Sequence, residues 1–368
     1  MFFTIIIFIL VLSVLVFAHE LGHFWTARRL GVKAEEFGLG FPPRIAGWQF
    51  KAGRVYFIRG RRQLSEAESE RGTVYSLNWI PIGGFVKIKG ENGEGANDQD
   101  SFAAKKIWKR ALILSAGVIM NIFLAFVLFS ACFMIGAPEA SNNQGQIQIE
   151  EVVEKSPAAA AGLKAGDIIS QIDQKSFSKI SEVQDFINQK KDQNLDVEIK
   201  RGREILQFDI KPEVKDGRGL IGVGLGQIDI VRYPWYQALW EGFKYTFSVL
   251  WLIIVAFIEL LKNLVTGHSV GNAVGGPVQI ARMTGDVARI GLVYLLNFTA
   301  LLSLNLAVIN FFPFPALDGG RVLFLIIEKI KGRPVKREFE TALHNLGFIL
   351  LMMLVVWVTI KDILRIFS

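Results

Sequence analysis

The N-terminal stretch constrains the fold of this chain more than any other. An unbroken apolar run from Phe2 to Ala18 leads directly into His19-Glu20-Leu21-Gly22-His23. On a helix, residues four apart project from one face, so the two imidazoles can share a metal ion with the glutamate as general base. Charged groups at membrane depth cost a few kcal/mol each and are rare there without a function. The stretch therefore predicts a membrane helix that ends in a metal site.

This apolar run has no basic region before it and no small-residue cleavage site after it, which distinguishes it from a signal peptide. Cleavage after the run would also remove the histidine motif. We expect a retained membrane helix from about Phe2 to Leu30, with Gly31 ending it.

The composition predicts several membrane segments joined to a soluble part. The 368 residues are 51% hydrophobic, with a net charge of +7 and a mean hydropathy of +0.35. Lys and Arg cluster beside the apolar runs, which favours positive-inside topology over nucleic-acid binding. The single cysteine, Cys132, excludes an intramolecular disulfide.

We predict a multi-pass α-helical membrane protein of about four transmembrane helices, with a membrane-associated β-hairpin segment and an inserted α/β domain. The predicted order is a first membrane helix (1–31), a cytoplasmic-side loop with membrane-associated β-structure (32–106), a second membrane helix (107–137), the inserted domain (140–229), interfacial or amphipathic helices and a loop (230–285), a third membrane helix (286–320), a cytoplasmic loop (321–342) and a fourth membrane helix (343–368).

Two of these segments leave alternatives open. Alternating patterns near Val55–Ile58 and 78–88 predict strands, either in an ordinary soluble loop or in a sheet that dips toward the membrane and lines the site. The uncharged run Tyr245–Ile258, bounded by Lys244 and Glu259, is short for a crossing and favours an interfacial or re-entrant helix. A full crossing there would also carry the end of the next helix to the opposite face.

A break in the third membrane helix supplies the candidate third ligand. The predicted helix Ile290–Asn310 is followed by an apolar run that two prolines and two glycines interrupt, and Asp318 lies in this run. Irregular backbone at membrane depth is tolerated where protein or a cavity surrounds it. Running from outside to inside, the helix would bring Asp318 level with His19 and His23 and complete a three-ligand set. The alternative is that Asp318 only caps the next helix.

Polar residues within the apolar runs are further candidates. Asn121 follows Gly117 by one turn in the second helix, where the glycine permits close helix approach and the amide needs a partner; simple packing is the alternative. Asn310 is expected to hydrogen-bond a substrate carbonyl or strand. His268 and His344 are expected to be solvated or packed and not to be ligands.

The run from Ser156 to Ile169, Ser-Pro-Ala-Ala-Ala-Ala-Gly-Leu-Lys-Ala-Gly-Asp-Ile-Ile, resembles the signature of PDZ domains. Such domains bind an extended peptide as an additional strand. The inserted segment is therefore expected either to capture a peptide or protein tail or to act as a spacer or steric filter.

Taken together, the HELGH motif, GxxxN at 117–121, the PDZ-like segment and N-x-x-P-x-P-x-L-D-G-G at 310–320 resemble the site-2 protease family, in particular its bacterial intramembrane metalloproteases. The resemblance implies Zn²⁺ held by His19, His23 and Asp318, with Glu20 as general base. It places Asn121 and Asn310 near the substrate, and a β-segment around Gly84 and Phe85 beside the substrate backbone.

The same resemblance implies an intramembrane endopeptidase of the bacterial inner membrane that cleaves membrane helices of single-span proteins, such as anti-sigma factors or remnant signal peptides. The PDZ-like segment would lie outside the cytoplasm and the site toward the cytoplasmic face. The alternative is a membrane-anchored PDZ scaffold with a non-catalytic metal site. A zinc transporter is disfavoured, because no relay of ionisable residues crosses the apolar runs.

Overall fold

The computed structural model describes residues 2–60, 65–91, 93, 95, 97–140, 145–153, 155–202, 204–215, 217–267 and 275–367. Its helices are α1 (Phe2–Arg29), α2 (Glu66–Ser69), α3 (Ile107–Ile135), α4 (Pro157–Ala161), α5 (Ile180–Gln189), α6 (Trp235–Val265), α7 (Pro277–Ile290), α8 (Leu292–Phe311), α9 (Asp318–Lys331) and α10 (Arg337–Phe367). Its strands are β1 (Ala34–Lys51), β2 (Arg54–Arg59), β3 (Val74–Ile88), β4 (Ala137–Ala140), β5 (Gln146–Val152), β6 (Ile168–Ile172), β7 (Leu195–Arg201), β8 (Glu204–Ile210), β9 (Glu213–Lys215), β10 (Arg218–Leu220) and β11 (Val223–Val231).

Among the described residues, five helices are long and apolar enough to cross a membrane: α1, α3, α6, α8 and the Arg337–Leu364 part of α10. The multi-pass helical fold is thus confirmed, with one more candidate span than the sequence predicts. The additional one is α6, a continuous helix of 31 residues where we expect a short helix over 245–258. The length prediction is wrong because Lys244 and Glu259 interrupt the apolar run without ending the helix. The interfacial placement of α6 stays a prediction.

The segment after α1 forms a three-stranded antiparallel sheet in the order β2-β1-β3. Strand β1 pairs with β2 through its second half and with β3 over most of its length, with several register shifts that bend the sheet. Strands are therefore present where the alternating patterns predict them. Exposed Trp79 and Ile80 on β3 and Phe57 on β2 give this sheet an apolar surface.

The chain consists of two compact units. The first comprises residues 1–129, 242–285 and 297–368, and the second comprises residues 130–241 and 286–296. The three-stranded sheet and the histidine motif belong to the first unit. The PDZ-like segment belongs to the second.

The second unit is built around a six-stranded sheet in the order β4-β11-β5-β6-β7-β8. Apolar side chains from β5, β7 and the helices α4 and α5 form its core, with Ile149, Val183 and Ile199 fully buried. A buried carboxylate, Asp167, is held by two hydrogen bonds from the Arg201 guanidinium at 2.6 and 2.7 Å. This ion pair raises the pKa of Arg201 above its usual range. The domain therefore has an apolar core of its own.

Within the second unit, the last residue of α7 and the start of α8 pack on this domain. The side chain of Ile290 fills the space beside Gly166, where a Cβ atom would approach its Cδ1 to 2.4 Å. The hydroxyl of Tyr294, on α8, lies 2.9 Å from the Gln148 amide of β5. The start of α8 is thereby fixed to the sheet.

Candidate metal centre

The two histidines of the N-terminal motif lie on one face of α1, as their spacing predicts. His19 is 7% exposed and His23 is 6% exposed, and their Nε2 atoms are 3.2 Å apart. The Nδ1 of His23 lies 2.8 Å from the backbone carbonyl oxygen of Ile113, on α3. Because a carbonyl only accepts, this Nδ1 carries the proton and Nε2 keeps its lone pair. The lone pair of His23 therefore points toward His19.

The third group is Asp318, the first residue of α9. Its Oδ2 lies 3.0 Å from His19 Nε2 and 3.3 Å from His23 Nε2. The N-cap position is taken by Leu317, without a side-chain hydrogen bond, so Asp318 does not act as the cap. The candidate ligand atoms of the three residues all lie within 4.8 Å of one another. Three buried donor atoms that converge in this way fit a divalent cation, and the His₂Asp set suits zinc.

Glycines allow the helices to close around this cluster. A Cβ atom at Gly117 of α3 would lie 2.4 Å from His23 Nε2 and 2.7 Å from His19 Nε2. A Cβ at Gly22 of α1 would lie 2.3 Å from the carbonyl oxygen of Ala116. Such distances are far below van der Waals contact. Helices α1 and α3 can thus pack at this separation only with glycine at both positions.

The carboxylate of Glu20 faces strand β3. The backbone N–H of Val86 donates a hydrogen bond of 3.0 Å to Glu20 Oε2. A Cβ atom at Gly84, on the same strand, would lie 3.9 Å from the Glu20 side chain. The ring of Phe85 points the other way and covers Gly38 on β1. The resemblance places both Gly84 and Phe85 beside the substrate. In the structure, Gly84 lies next to the Glu20 side chain, and Phe85 packs against the sheet.

Both predicted asparagines contact His19, at opposite ring nitrogens. The amide of Asn310, near the end of α8, lies 3.5 Å from Nε2, on the side where the three ligand atoms converge. The amide of Asn121 lies 3.3 Å from Nδ1, on the far side of the ring, and is fully buried. Asn310 is thus placed beside the cluster and Asn121 behind it.

Several contacts around the cluster carry no sequence signal. The Nδ1 of His344, on α10, accepts a hydrogen bond of 2.9 Å from the N–H of Ala316, a non-glycine residue with a φ of +80°. Gly347, one turn later, fits against the carbonyl oxygen of Pro315. Helix α10 therefore supports the loop that carries Asp318. His344 is packed as expected, and His268 lies outside the described residues.

The family of the chain follows from comparison with known proteins. A family model described as "Peptidase family M50" matches residues 7–60 and 60–354. The chain belongs to peptidase family M50. The resemblance to site-2 proteases that the motifs predict is confirmed, and with it the assignment as a metallopeptidase.

Similar proteins cover essentially the whole chain. It is 36% identical to the protein CPE1693 of Clostridium perfringens (strain 13 / Type A), with 98% of each chain aligned. It is 30% identical to "Regulator of sigma-W protease RasP" of Bacillus subtilis (strain 168), with 99% of each chain aligned. It is 29% identical to "Zinc metalloprotease RasP" of Geobacillus kaustophilus (strain HTA426), over 99% of this chain and 98% of that one.

Among solved structures, the PDZ domain of an SdrC-like protein from Listeria monocytogenes matches 24% of this chain and 93% of its own length. The identity is 31% and the TM-score 0.21.

Proposed function

We propose that this protein is an intramembrane zinc endopeptidase that cleaves the membrane-spanning segments of single-span membrane proteins. The observation that carries the proposal is the convergence of His19, His23 and Asp318. Glu20 lies on α1, the helix that also carries the two histidines. All of these residues lie in or beside apolar helices long enough to cross a membrane. Zinc bound there would act as a Lewis acid toward a peptide carbonyl and lower the pKa of water.

The residues around the cluster can supply the remaining chemistry. In this proposal, Glu20 accepts the proton of the attacking water and later delivers it to the leaving amine. The hydrogen bond of 3.0 Å from the Val86 N–H to this carboxylate supports the role, because it orients the side chain. The amide of Asn310, which lies beside His19 Nε2, would donate to the oxyanion that develops on the scissile carbonyl.

The substrate must reach the cluster in an extended form, because the peptide bonds of a helix are shielded by its own hydrogen bonds. Strand β3 lies at the edge of its sheet and passes Glu20 at Gly84. An unwound segment could pair with such an edge through its backbone. Anti-sigma factors and remnant signal peptides are the proposed substrates. The sigma-W function in the name of the Bacillus subtilis relative supports the first class.

We further propose a location in the bacterial inner membrane. Basic residues at the end of α1 and in α9 favour the cytoplasmic side for the cluster, since Arg28, Arg29, Lys329 and Lys331 follow the positive-inside pattern. The PDZ-like domain would then lie outside the cytoplasm, where it could bind a peptide or protein tail of the substrate.

The test is cleavage of a single-span model substrate by the purified protein in lipid. Glu20→Gln should abolish cleavage while retaining zinc, because the amide cannot accept the proton. Glu35→Gln is the control. It removes an exposed ion pair between Glu35 of β1 and Lys87 of β3 and should leave the rate unchanged. Equal rates for wild type and Glu20→Gln would instead favour a PDZ scaffold with a non-catalytic metal site.

A further inference from the structure

A histidine that binds a metal through Nε2 must carry its proton on Nδ1, and that proton needs an acceptor. The acceptor fixes the tautomer and the orientation of the ring. His23 meets this requirement, since its Nδ1 faces the Ile113 carbonyl oxygen at 2.8 Å. For His19, the group that the described residues place at Nδ1 belongs to a side chain.

Within the described part of the chain, the polar group beside Nδ1 of His19 is the side chain of Asn121. An amide can present either its NH₂ group or its oxygen to a neighbour, and the two ends have nearly the same shape. With the NH₂ group facing Nδ1 at 3.3 Å, the amide oxygen Oδ1 is buried without any hydrogen-bond partner. A buried, unpaired carbonyl oxygen is costly. With the amide turned end for end, Oδ1 faces Nδ1 and accepts its proton, and the NH₂ group takes the position that has no partner. The choice between the two orientations therefore depends on the tautomer of His19, and a metal on Nε2 requires the one with the proton on Nδ1.

The position of Asn121 argues against contact with a substrate. Its side chain is fully buried, and it approaches His19 from the side opposite to Asp318 and Asn310. The backbone of Asn121 is also tied to α8, because the Ser303 hydroxyl donates a hydrogen bond of 2.8 Å to its carbonyl oxygen. Asn121 is therefore held in place behind the imidazole by two helices.

We propose that Asn121 is a positioning residue whose amide oxygen accepts the Nδ1 proton of His19 and so presents the Nε2 lone pair to the ion. The two asparagines then divide their roles by the nitrogen that each one faces. Asn310 faces Nε2, where the ligand atoms converge, and Asn121 faces Nδ1 and orients the ring. This inference rests on the proposed zinc function, but its test measures metal binding and not cleavage.

The experiment is a zinc titration of the full-length, metal-free protein in detergent, in competition with a chelator. Asn121→Leu, which has a similar size but cannot accept, should weaken zinc binding by about 10- to 100-fold. Asn121→Asp, whose oxygens can only accept, should bind zinc within about threefold of wild type or more tightly. Ile119→Ala is the matched control. It changes a side chain of the same helix that is 53% exposed and should leave the affinity within the same margin.

Two results would overturn the inference. One is wild-type affinity in Asn121→Leu. The other is a loss in Asn121→Asp as large as in Asn121→Leu, because it would show that an accepting oxygen at this position does not support zinc binding by His19. If Asn121→Asp does not fold, as judged by gel filtration and thermal unfolding, the leucine variant decides alone. Absence of zinc binding by the wild type would count against the proposed function itself. The visible spectrum of the Co²⁺-loaded protein provides a second readout of ligand geometry.

Discussion

The PDZ-like domain and the helices that carry the metal cluster differ in the interactions that stabilise each of them internally. In the domain, large side chains such as Ile149 and Ile199 fill a common apolar core. Around the cluster, helices meet through Gly22 and Gly117, and the groups at the centre are polar. Apolar burial stabilises a domain in water, whereas in lipid it supplies no force between helices. Substitutions in the two regions should therefore have different effects. In the domain they should lower the free energy of unfolding, and around the cluster they should displace the metal ligands.

The sharpest test of this contrast is the smallest substitution beside the cluster. Gly117→Ala adds one methyl group, which would lie 2.4 Å from His23 Nε2 and 2.6 Å from His19 Cε1. We expect zinc content to fall and the cleavage rate to drop by roughly 100-fold or more, as for an ångström-scale misplacement. Metal analysis and substrate cleavage measure both effects. Ile119→Ala, at a position on the same helix that is 53% exposed, is the control. Normal zinc content in Gly117→Ala would show that the helices tolerate wider spacing.

The domain should respond in the opposite way. Ile199→Ala removes a fully buried side chain of β7 and should destabilise the domain by about 2–5 kcal/mol, through lost transfer energy and the cavity that remains. Hydrogen exchange of the β7 amides in the full-length protein measures this loss. The zinc content should not change. Ile205→Ala, at a β8 position that is 66% exposed, should have little effect on either quantity. A loss of zinc in Ile199→Ala would contradict the expectation that the metal cluster does not depend on the stability of the domain.

A smaller effect is expected where α10 supports the metal ligand from a distance. His344→Leu removes the acceptor for the Ala316 N–H and frees the loop before Asp318. Zinc affinity should fall by about tenfold, which is typical for residues that orient a ligand. His344→Asn retains an acceptor near the same position and should restore most of the affinity in chelator competition. Equal losses in both variants would mean that packing against Phe324, and not the hydrogen bond, matters.

The smallest effect concerns the pH dependence of the domain. The Lys190 ammonium, followed by the N–H of Asp196, holds the pKa of Asp173 below its usual value of 3.8. A carboxylate whose pKa is lower in the folded state stabilises the fold above its unfolded pKa. This contribution is lost as the pH falls from about 3.8 through the folded pKa. Asp173→Asn should remove this part of the pH dependence, by less than about 1 kcal/mol because the pair is partly exposed. Hydrogen exchange at pH 7 and pH 3 checks this, and an unchanged slope would contradict it.

The sequence predicts those features that depend on local pattern. Apolar length and flanking signals predict a second membrane helix over 107–137, close to the observed α3 at Ile107–Ile135, and the i, i+4 spacing places both histidines on one face. The prolines and glycines after α8 predict a break in the helix, and this break allows Asp318 to approach His19 and His23. The sequence does not indicate the bond from Val86 to Glu20 or the one from Ala316 to His344, because a backbone N–H or a carbonyl has no residue signature.

The helix that contains 245–258 is longer than predicted, for a physical reason. A charged residue within an apolar run does not end a helix, since long side chains can extend toward water while the backbone continues. The prediction for Asn121 shows a related limit. The family resemblance places Asn121 near the substrate, but the group that its amide faces depends on how α3 packs against α1.

The ligands of the cluster come from opposite ends of the chain: His19 and His23 from the first helix, and Asp318 from the start of α9. During synthesis, the histidines enter the membrane long before the aspartate exists. A ribosome that stops early therefore releases a chain with an incomplete ligand set. The full ligand set of such a protein exists only once synthesis has reached the start of α9.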